Sequence, residues 1–294
     1  MRDADRRIIL GLYRSDHGRG LLGRALTAGI RAIDTASNYR DFAAHRTLAS
    51  ETADLLGEFT VSTKVGFFPA AGGVEHSLDP RRLRQAIMTA PGELGRVPDV
   101  VLLHSPERSL DGADLAADHD RFIAACAVLA DAAAEGLCGS WGVSCWDSRP
   151  LARLLLVTAE GRGAIPRPDV LMVRSGLAVG ADALEAAEKA MALLGVPPAG
   201  RWGMSPFAGD AAHPAWQRIS PGAFLRPGQQ TDVMPAIFRL AFELPQVARV
   251  AVGSTSGEHL RDLSAAVDLE VEGEQVARYR RLLAARASLT SPAS

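Results

Sequence analysis

Four side chains that can hold charge or move a proton stand where three predicted strands end. In residues 29–39 an apolar run is followed by Asp34, and Tyr39 comes five residues after Asp34. The run 59–64 closes on Lys64, and the run 100–104 closes on His104. Because a parallel barrel builds its site from the carboxyl ends of several strands, these side chains are expected to meet. The sequence therefore predicts one site that combines a carboxylate, a phenol, an amine and an imidazole.

These groups suit proton transfer to an oxygen atom. A free phenol has a pKa of about 10, too high for easy proton exchange at neutral pH, and a nearby ammonium lowers it. We therefore expect Lys64 to tune Tyr39 and Asp34 to keep Lys64 charged, while His104 hydrogen-bonds a substrate oxygen. Lys64 is one of two lysines among 32 basic residues, and arginine could not take this role. None of these groups supplies a hydride, so a carbonyl reduction would need a nicotinamide cofactor.

The elements that must position these groups alternate along the whole chain. The predicted strands are 7–13, 32–37, 59–65, 98–104, 139–144, 170–173, 202–205 and 248–252. Helix-like segments follow them, among them 121–135 and 231–244, and a further helix is expected at 274–286. Strands that alternate with helices form parallel sheets. Eight such units predict an α/β fold, a single (β/α)8 TIM barrel with an extra C-terminal helix, as one domain over residues 1–294.

A dinucleotide-binding fingerprint offers another interpretation of the first turn. Residues 18–23 match G-x-G-x-x-G, and Asp34 follows the next strand. However, residues 14–17 separate the first strand from these glycines, whereas the fingerprint begins at the strand end. Asp34 also comes earlier than the usual spacing of about 20 residues. We therefore expect the glycines to admit a helix, not to cradle a pyrophosphate.

Composition and charge narrow the class of protein. With 47% hydrophobic residues a large core is possible, and a net charge of −2 without a basic stripe argues against a nucleic-acid partner. We expect no membrane partner, because no apolar run reaches spanning length and the charged first residues precede no signal-peptide core. Cys126, Cys138 and Cys145 indicate reduced thiols, hence a cytoplasmic protein, and no metal site. Abundant Arg and Ala suggest a bacterial source.

Six short blocks, taken in order, resemble the aldo-keto reductase superfamily. They are D-T-A-x-x-Y at 34–39, T-K at 63–64, L-L-H-S-P at 102–106, W-G-V-S at 141–144, S-P-F at 205–207 and V-G-S-T-S at 252–256. The resemblance implies an NADP(H)-dependent oxidoreductase that reduces an aldehyde, ketone or sugar-like carbonyl by hydride transfer. Tyr39 would be the general acid, tuned by Lys64 and Asp34. His104 would orient the carbonyl.

The resemblance also implies a cofactor site for NADPH or NADP+. Ser144 would bind the carboxamide of the nicotinamide, and the loop 253–256 would take the adenosine phosphate end. The positions so implied are Ser144, Cys145, Met172, Met204, Ser205, Gly253, Ser254, Thr255 and Arg261.

The chain departs from the family at several of these positions. Met172 stands where a glutamine is common, and Met204 stands where an aromatic residue often stacks on the nicotinamide. Arg261 is the nearest cation for a 2′-phosphate. The first strand leads into Tyr13, and Trp146 follows the fifth strand, so both are expected to border the substrate.

Two other functions stay open. The same barrel could use Tyr39 and Lys64 for an elimination or an epimerisation, which the altered cofactor positions would favour. A nucleotide-sensing or partner-binding barrel with little turnover is the other, although such a protein would not need four reactive groups. Nothing in the sequence specifies an oligomeric state.

The loops and the remaining histidines give weaker indications. Specificity in a barrel is set by loops, and the loops 65–79, 105–120 and 207–230 contain no arginine cluster, so we expect a neutral or weakly charged carbonyl substrate. The other histidines expected in loops or at helix edges, and therefore mostly solvated, are His17, His45, His76, His119 and His213.

Overall fold

Parallel strands form the centre of the computed structural model, which describes residues 7–158 and 164–290. The strands are β1 (Ile8–Gly11), β2 (Ala32–Asp34), β3 (Thr60–Val65), β4 (Phe67–Ala70), β5 (Gly73–His76), β6 (Val100–His104), β7 (Ser140–Cys145), β8 (Val170–Arg174), β9 (Arg201–Met204) and β10 (Arg249–Val252). Eight of them close into a barrel in the order β1-β10-β9-β8-β7-β6-β3-β2, and every pair in it is parallel. This closure confirms the predicted (β/α)8 barrel.

Helices surround the barrel and connect its strands. They are α1 (Arg19–Thr27), α2 (Ala44–Thr52), α3 (Pro80–Leu94), α4 (Leu115–Ala134), α5 (Ser148–Thr158), α6 (Ala181–Leu193), α7 (Val233–Leu240), α8 (Gly257–Ala266) and α9 (Gly273–Thr290). Gly18 is the residue that precedes α1, so the glycines of the first turn do admit a helix. The additional C-terminal helix is present as α9. Residues 1–6, 159–163 and 291–294 of the predicted domain lie outside the described residues.

Apolar side chains fill the inside of the barrel. This inner cluster consists of Ile9, Ala32, Val100, Leu102, Val170, Met172, Trp202 and Ala251, with Met204 packed against it. Gly142 on β7 leaves no room for a side chain, because a Cβ there would lie 2.2 Å from the Val170 carbonyl oxygen. The barrel is therefore a packed core and not a pore, so a binding site must lie beyond the strand ends.

Several elements differ from the sequence prediction. The first two strands end earlier than expected, at Gly11 and Asp34 and not at residues 13 and 37. Helix α4 begins at Leu115, not at residue 121, because the Asp114 side chain accepts hydrogen bonds from the backbone of Ala116 and Ala117 and caps an earlier turn. Helix α7 ends at Leu240 and is shorter than predicted. The loop after β3 is not irregular, since β4 and β5 pair within it as an antiparallel hairpin.

Within the described part of the chain, no helix has the length and the apolar character needed to cross a bilayer.

Candidate active site

A cavity of about 830 Å³ lies at the carboxyl ends of the barrel strands. Its wall includes all four residues predicted for catalysis and both predicted for the substrate. From the predicted cofactor set it includes six more. Together these are Tyr13, Asp34, Tyr39, Lys64, His104, Ser144, Trp146, Met204, Ser205, Gly253, Ser254 and Thr255. The volume falls within the range of about 300–1,000 Å³ that is usual for small-molecule sites.

Strand register explains why the reactive groups meet. Asp34, the last residue of β2, pairs with Ser62 on β3, and the Ser62 hydroxyl donates to the Asp34 carboxylate at 2.8 Å. Because side chains alternate along a strand, Lys64 faces the same side as Ser62. His104 ends β6, the next strand of the barrel, and borders the same cavity.

The Lys64 ammonium holds this group together. It forms a short ion pair with Asp34, donates to the Thr35 carbonyl at 3.0 Å and donates to the Tyr39 hydroxyl oxygen at 3.3 Å. An ammonium has three hydrogens, so these three acceptors use all of them. Since the Tyr39 oxygen accepts from Lys64, its own hydrogen stays available for another acceptor. Lys64 is 2% exposed and Asp34 is 5% exposed, so water hardly screens the pair.

Burial has a larger effect on Tyr39 than the sequence suggested. It raises the pKa of Tyr39 above its ordinary value, and the Lys64 charge offsets this rise only in part. The expected net lowering is therefore wrong, although Lys64 acts in the expected direction. For Lys64, burial disfavours the ammonium, but attraction to Asp34 and Tyr39 outweighs burial and raises its pKa. At neutral pH the site contains a charged lysine beside a protonated phenol.

His104 is neutral because both its burial and the nearby Lys64 charge disfavour the protonated imidazole. Burial, and after it the positive charge of Lys64, hold the pKa of His104 well below its ordinary value. Its ring centroid lies 6.2 Å from that of Tyr39 and 4.8 Å from that of Phe67, with the rings edge to face. Its Nδ1 is buried without a hydrogen-bond partner among the described residues. A neutral imidazole can donate one hydrogen bond to an oxygen in the cavity.

Two of the predicted cofactor residues that line the cavity, Ser144 and Ser205, have hydroxyl groups without a strong hydrogen bond to the described residues. The contact recorded for the Ser144 hydroxyl is a weak one with the Met204 sulfur at 4.0 Å. Ser205 has a φ of 56° and a buried hydroxyl without a partner in the described residues. Buried hydroxyls normally have a hydrogen-bond partner, and because both residues line the cavity, an occupant of the cavity could supply one.

Three of the predicted cofactor residues do not line this cavity. Cys145 faces away from it, because Ser144 faces inward and successive side chains alternate; it is fully buried in the hydrophobic cluster that also contains Leu171 and Val173. Met172 is fully buried in the inner cluster of the barrel. Arg261 is exposed on α8, outside the cavity wall.

Two positions bear on the site although the sequence did not indicate them. Arg24 on α1 donates to the Thr255 carbonyl at 3.1 Å, which places a cation beside the loop 253–256. Glu107 lines the cavity, and its carboxylate accepts from the backbone of Trp146 at 2.8 Å. Burial raises the pKa of Glu107. The position of Glu107 directly after the 102–106 block is a signal that could have revealed it.

The two predicted substrate residues stand at the rim of the cavity. Tyr13 is 64% exposed, and its ring centroid lies 5.1 Å from that of Tyr39. Trp146 is 48% exposed, and the Arg174 guanidinium lies 5.2 Å from its ring centroid. Large aromatic surfaces so exposed suit contact with a ligand.

Several histidines expected to be solvated are buried. His17 contacts the Thr35 hydroxyl at 3.3 Å, and His45 contacts the Thr63 hydroxyl at 2.7 Å, so both lie directly behind the strand ends that carry the site. His119 is also fully buried, on α4. Loop and helix-edge positions were therefore a poor guide to exposure, because these segments pack against the barrel.

Comparisons with known proteins agree with this architecture. An aldo-keto reductase from Bacillus halodurans in its holo form has a TM-score of 0.69 and 16% identity, over 94% of this chain and 91% of that one. One from Klebsiella pneumoniae in complex with NADPH has a TM-score of 0.65 and 19% identity, over 94% and 90%. One from Bombyx mori in complex with NADP has a TM-score of 0.60 and 19% identity, over 93% and 88%. At these identities the likeness shows the fold.

The sequence itself gives the family. No curated protein matches the chain. The model of the aldo/keto reductase family matches residues 13–166, which is more than half of the chain and includes all four residues predicted for catalysis. The chain therefore belongs to the aldo/keto reductase family, a family of oxidoreductases.

Proposed function

We propose that this protein reduces an aldehyde, a ketone or a sugar-like carbonyl to the alcohol with NADP(H). The observation that carries the proposal is the Tyr39 hydroxyl, which accepts from the buried Lys64 ammonium and opens on a cavity of about 830 Å³. A protonated phenol held in this way can donate its hydrogen to a carbonyl oxygen, whereas a purely structural tyrosine would not need a buried ion pair beside it.

The cavity wall fits a nicotinamide dinucleotide. The Ser144 and Ser205 hydroxyls are free to bind polar groups of such a molecule. The loop 253–256 is followed by the start of α8 and is contacted by Arg24, an arrangement that favours phosphate. The NADPH and NADP complexes of the Klebsiella pneumoniae and Bombyx mori proteins support this choice of cofactor. When bound, the cofactor supplies the hydride that the side chains of the chain lack.

The protein's own groups then control the carbonyl oxygen. In this proposal His104 donates a hydrogen bond to that oxygen and aligns it with Tyr39. As negative charge develops on the oxygen, Tyr39 transfers its proton, and the Lys64 ammonium stabilises the phenolate left behind. Asp34 keeps Lys64 protonated and aimed at Tyr39. Tyr13 and Trp146 would contact the rest of the substrate.

We also propose that residues 1–294 form one domain and that the protein is bacterial and cytoplasmic.

Non-redox acid/base chemistry is the second candidate. The positions of Cys145, Met172 and Arg261 favour it, since these predicted cofactor residues do not line the cavity. An elimination or epimerisation would use Tyr39 and Lys64 with no hydride donor.

Nucleotide titration separates the two candidates. NADPH and NADH would each be added to the purified protein while tryptophan fluorescence is followed, because Trp146 stands in the cavity wall. NADPH oxidation would then be measured with para-nitrobenzaldehyde, glyceraldehyde and cyclohexanone. We expect NADPH binding and turnover of at least one carbonyl. Absence of binding by either nucleotide would overturn the proposal in favour of non-redox chemistry.

Tyr39→Phe tests the role of the phenol. The variant should bind NADPH as the wild type does but lose reduction by about 10²–10⁴-fold, the usual contribution of a positioned acid. Tyr279→Phe is the matched control, because it removes the same atom from a tyrosine whose hydroxyl donates to Leu177 on the outside of the cavity. If the two variants lost activity equally, Tyr39 would not be the acid.

A further inference from the structure

The β4–β5 hairpin brings a second histidine to the end of β6. β3 ends at Val65, and the chain turns into the hairpin at Gly66, whose φ is 138°. Ser77 donates its backbone N–H to the Gly66 carbonyl at 2.9 Å, which closes the base of the hairpin. His76 is paired with Phe67 in the hairpin register and therefore lies at that base, next to the barrel.

Both ring nitrogens of His76 have partners. Nε2 lies 2.7 Å from the backbone carbonyl oxygen of His104, and Nδ1 lies 2.7 Å from the hydroxyl of Ser109. A carbonyl oxygen can only accept, so Nε2 must carry the hydrogen. Burial lowers the pKa of His76, against the opposing effect of its bond to His104, so the ring is neutral at pH 7. Its Nδ1 therefore accepts from Ser109.

These two bonds span a strained turn. Ser105, directly after His104, has a φ of 52°, in the left-handed region that non-glycine residues rarely adopt. The next residues, Pro106–Ser109, form a 3-10 turn. Because His76 contacts the residue before Ser105 and the last residue of the 3-10 turn, it holds both ends of the segment that sets the direction of His104.

Packing around His104 depends on the same hairpin. The Phe67 ring lies edge to face with both histidines, 4.8 Å from the centroid of His76 and 4.8 Å from that of His104. A Cβ at Gly66 would lie 3.1 Å from the His104 carbonyl oxygen and 3.3 Å from His76 Nε2. The three segments therefore meet without spare room, and a shift of His76 would be transmitted to His104.

We propose that His76 is a positioning residue, which fixes the His104 peptide through its Nε2–H and so aims the His104 ring at the substrate carbonyl. This role rests on the proposed carbonyl reduction. His76 itself does not line the cavity and touches no reacting atom.

Two amides distinguish the two bonds of His76. In His76→Gln the side-chain NH₂ can occupy the place of Nε2 and still donate to the His104 carbonyl. In His76→Asn the shorter side chain reaches only the place of Nδ1, and His76→Ala makes neither bond. We expect kcat for the best of the three carbonyl probes to fall about 10- to 100-fold in the Ala and Asn variants, as expected for a displaced catalytic group. The Gln variant should stay within about threefold of wild type, and the Kd for NADPH should not change in any of them.

A double-mutant cycle with His104→Ala shows whether the effect acts through His104. Once the His104 ring is gone, His76→Ala should lower kcat no further, because interacting residues are not additive. An equal loss in both backgrounds would overturn the proposal, as would a Gln variant that falls as far as the Ala variant. Wild-type kcat in His76→Ala would overturn it as well.

Nitrogen NMR of the ¹⁵N-histidine-labelled protein tests the proposal without turnover. We expect His76 as the Nε2–H tautomer, and we expect His76→Ala to shift the ring signals of His104. If the wild type turned over no carbonyl, the proposed function would fail, and these spectra would still decide the positioning role. Unchanged His104 signals in His76→Ala would overturn it.

Discussion

Replacing Lys64 by methionine should destabilise the fold as well as stop reduction. Lys64 forms an ion pair with Asp34 in which both side chains are almost fully buried. After the replacement Asp34 keeps the Ser62 hydroxyl as a donor but loses the charge that balances it. Breaking a buried pair by removing one partner costs about 3–5 kcal/mol, because the other charge stays buried without compensation.

Most of this loss of stability should come from the unbalanced charge of Asp34. Methionine is apolar and close to lysine in length, so little of the loss should come from a cavity. The double variant Lys64→Met, Asp34→Asn leaves no unbalanced charge. Its loss should therefore be smaller than the sum of the single losses, by about 1–3 kcal/mol, as is usual for residues in contact.

Urea unfolding at pH 7, followed by circular dichroism, would measure the free energy of unfolding of each variant. Lys189→Met is the matched control: it makes the same change at the other lysine, which is exposed on α6, and should cost less than about 0.5 kcal/mol. A loss in Lys64→Met no larger than in this control would refute the reasoning. Strict additivity in the double variant would do so too, because the carboxylate would then not depend on the lysine.

Two further predictions concern acidity and the cofactor. Burial lowers the pKa of both His17 and His45, so the stability that their neutral forms contribute is present above the unfolded pKa of about 6.5 and is lost as the pH falls below it. Between pH 7.5 and 5.5 the stability should fall by up to about 1.4 kcal/mol per pH unit for each histidine, and the thermal midpoint should fall with it. A constant midpoint would contradict the described burial of these two side chains. In the fluorescence titration, Arg24→Ala should weaken NADPH binding more than it weakens NADH binding. Because Arg24 contacts the loop 253–256 directly, its loss should also weaken NADPH binding more than Arg261→Ala does. Equal weakening of both nucleotides would remove Arg24 from the phosphate site.

The barrel could be predicted from the sequence because its signals are local. Each strand is a short apolar run. Asp34 and His104 are the last residues of two of them and Lys64 is the last but one of a third, and these three strands are neighbours in the barrel. The spatial meeting of these side chains follows from the alternation of residues along strands, which is a property of every strand. Ser144 lines the cavity for the same reason.

Other features depend on packing between distant segments and carry no local signal. Met172 lies in the filled layer of the barrel and not in the cavity, although its register partner Ser144 lines the cavity. The contact between Arg24 and Thr255 joins residues 231 positions apart. The net rise in the Tyr39 pKa reflects the degree of burial, which composition does not give. His76 lay in a loop rich in glycine, so neither the hairpin nor its contact with His104 was expected.

Closure between β1 and β10 has a consequence for synthesis of the chain. Ile8 pairs with Val250, so the first strand made must wait for the last one before the sheet becomes continuous. The loop 253–256 lies directly after that last strand, and Arg24 contacts it from the first helix. A chain released early from the ribosome would therefore lack both the closing strand and the proposed phosphate loop. Only finished chains could then bind the cofactor, so only their folded state would be stabilised by it, and truncated chains would not be.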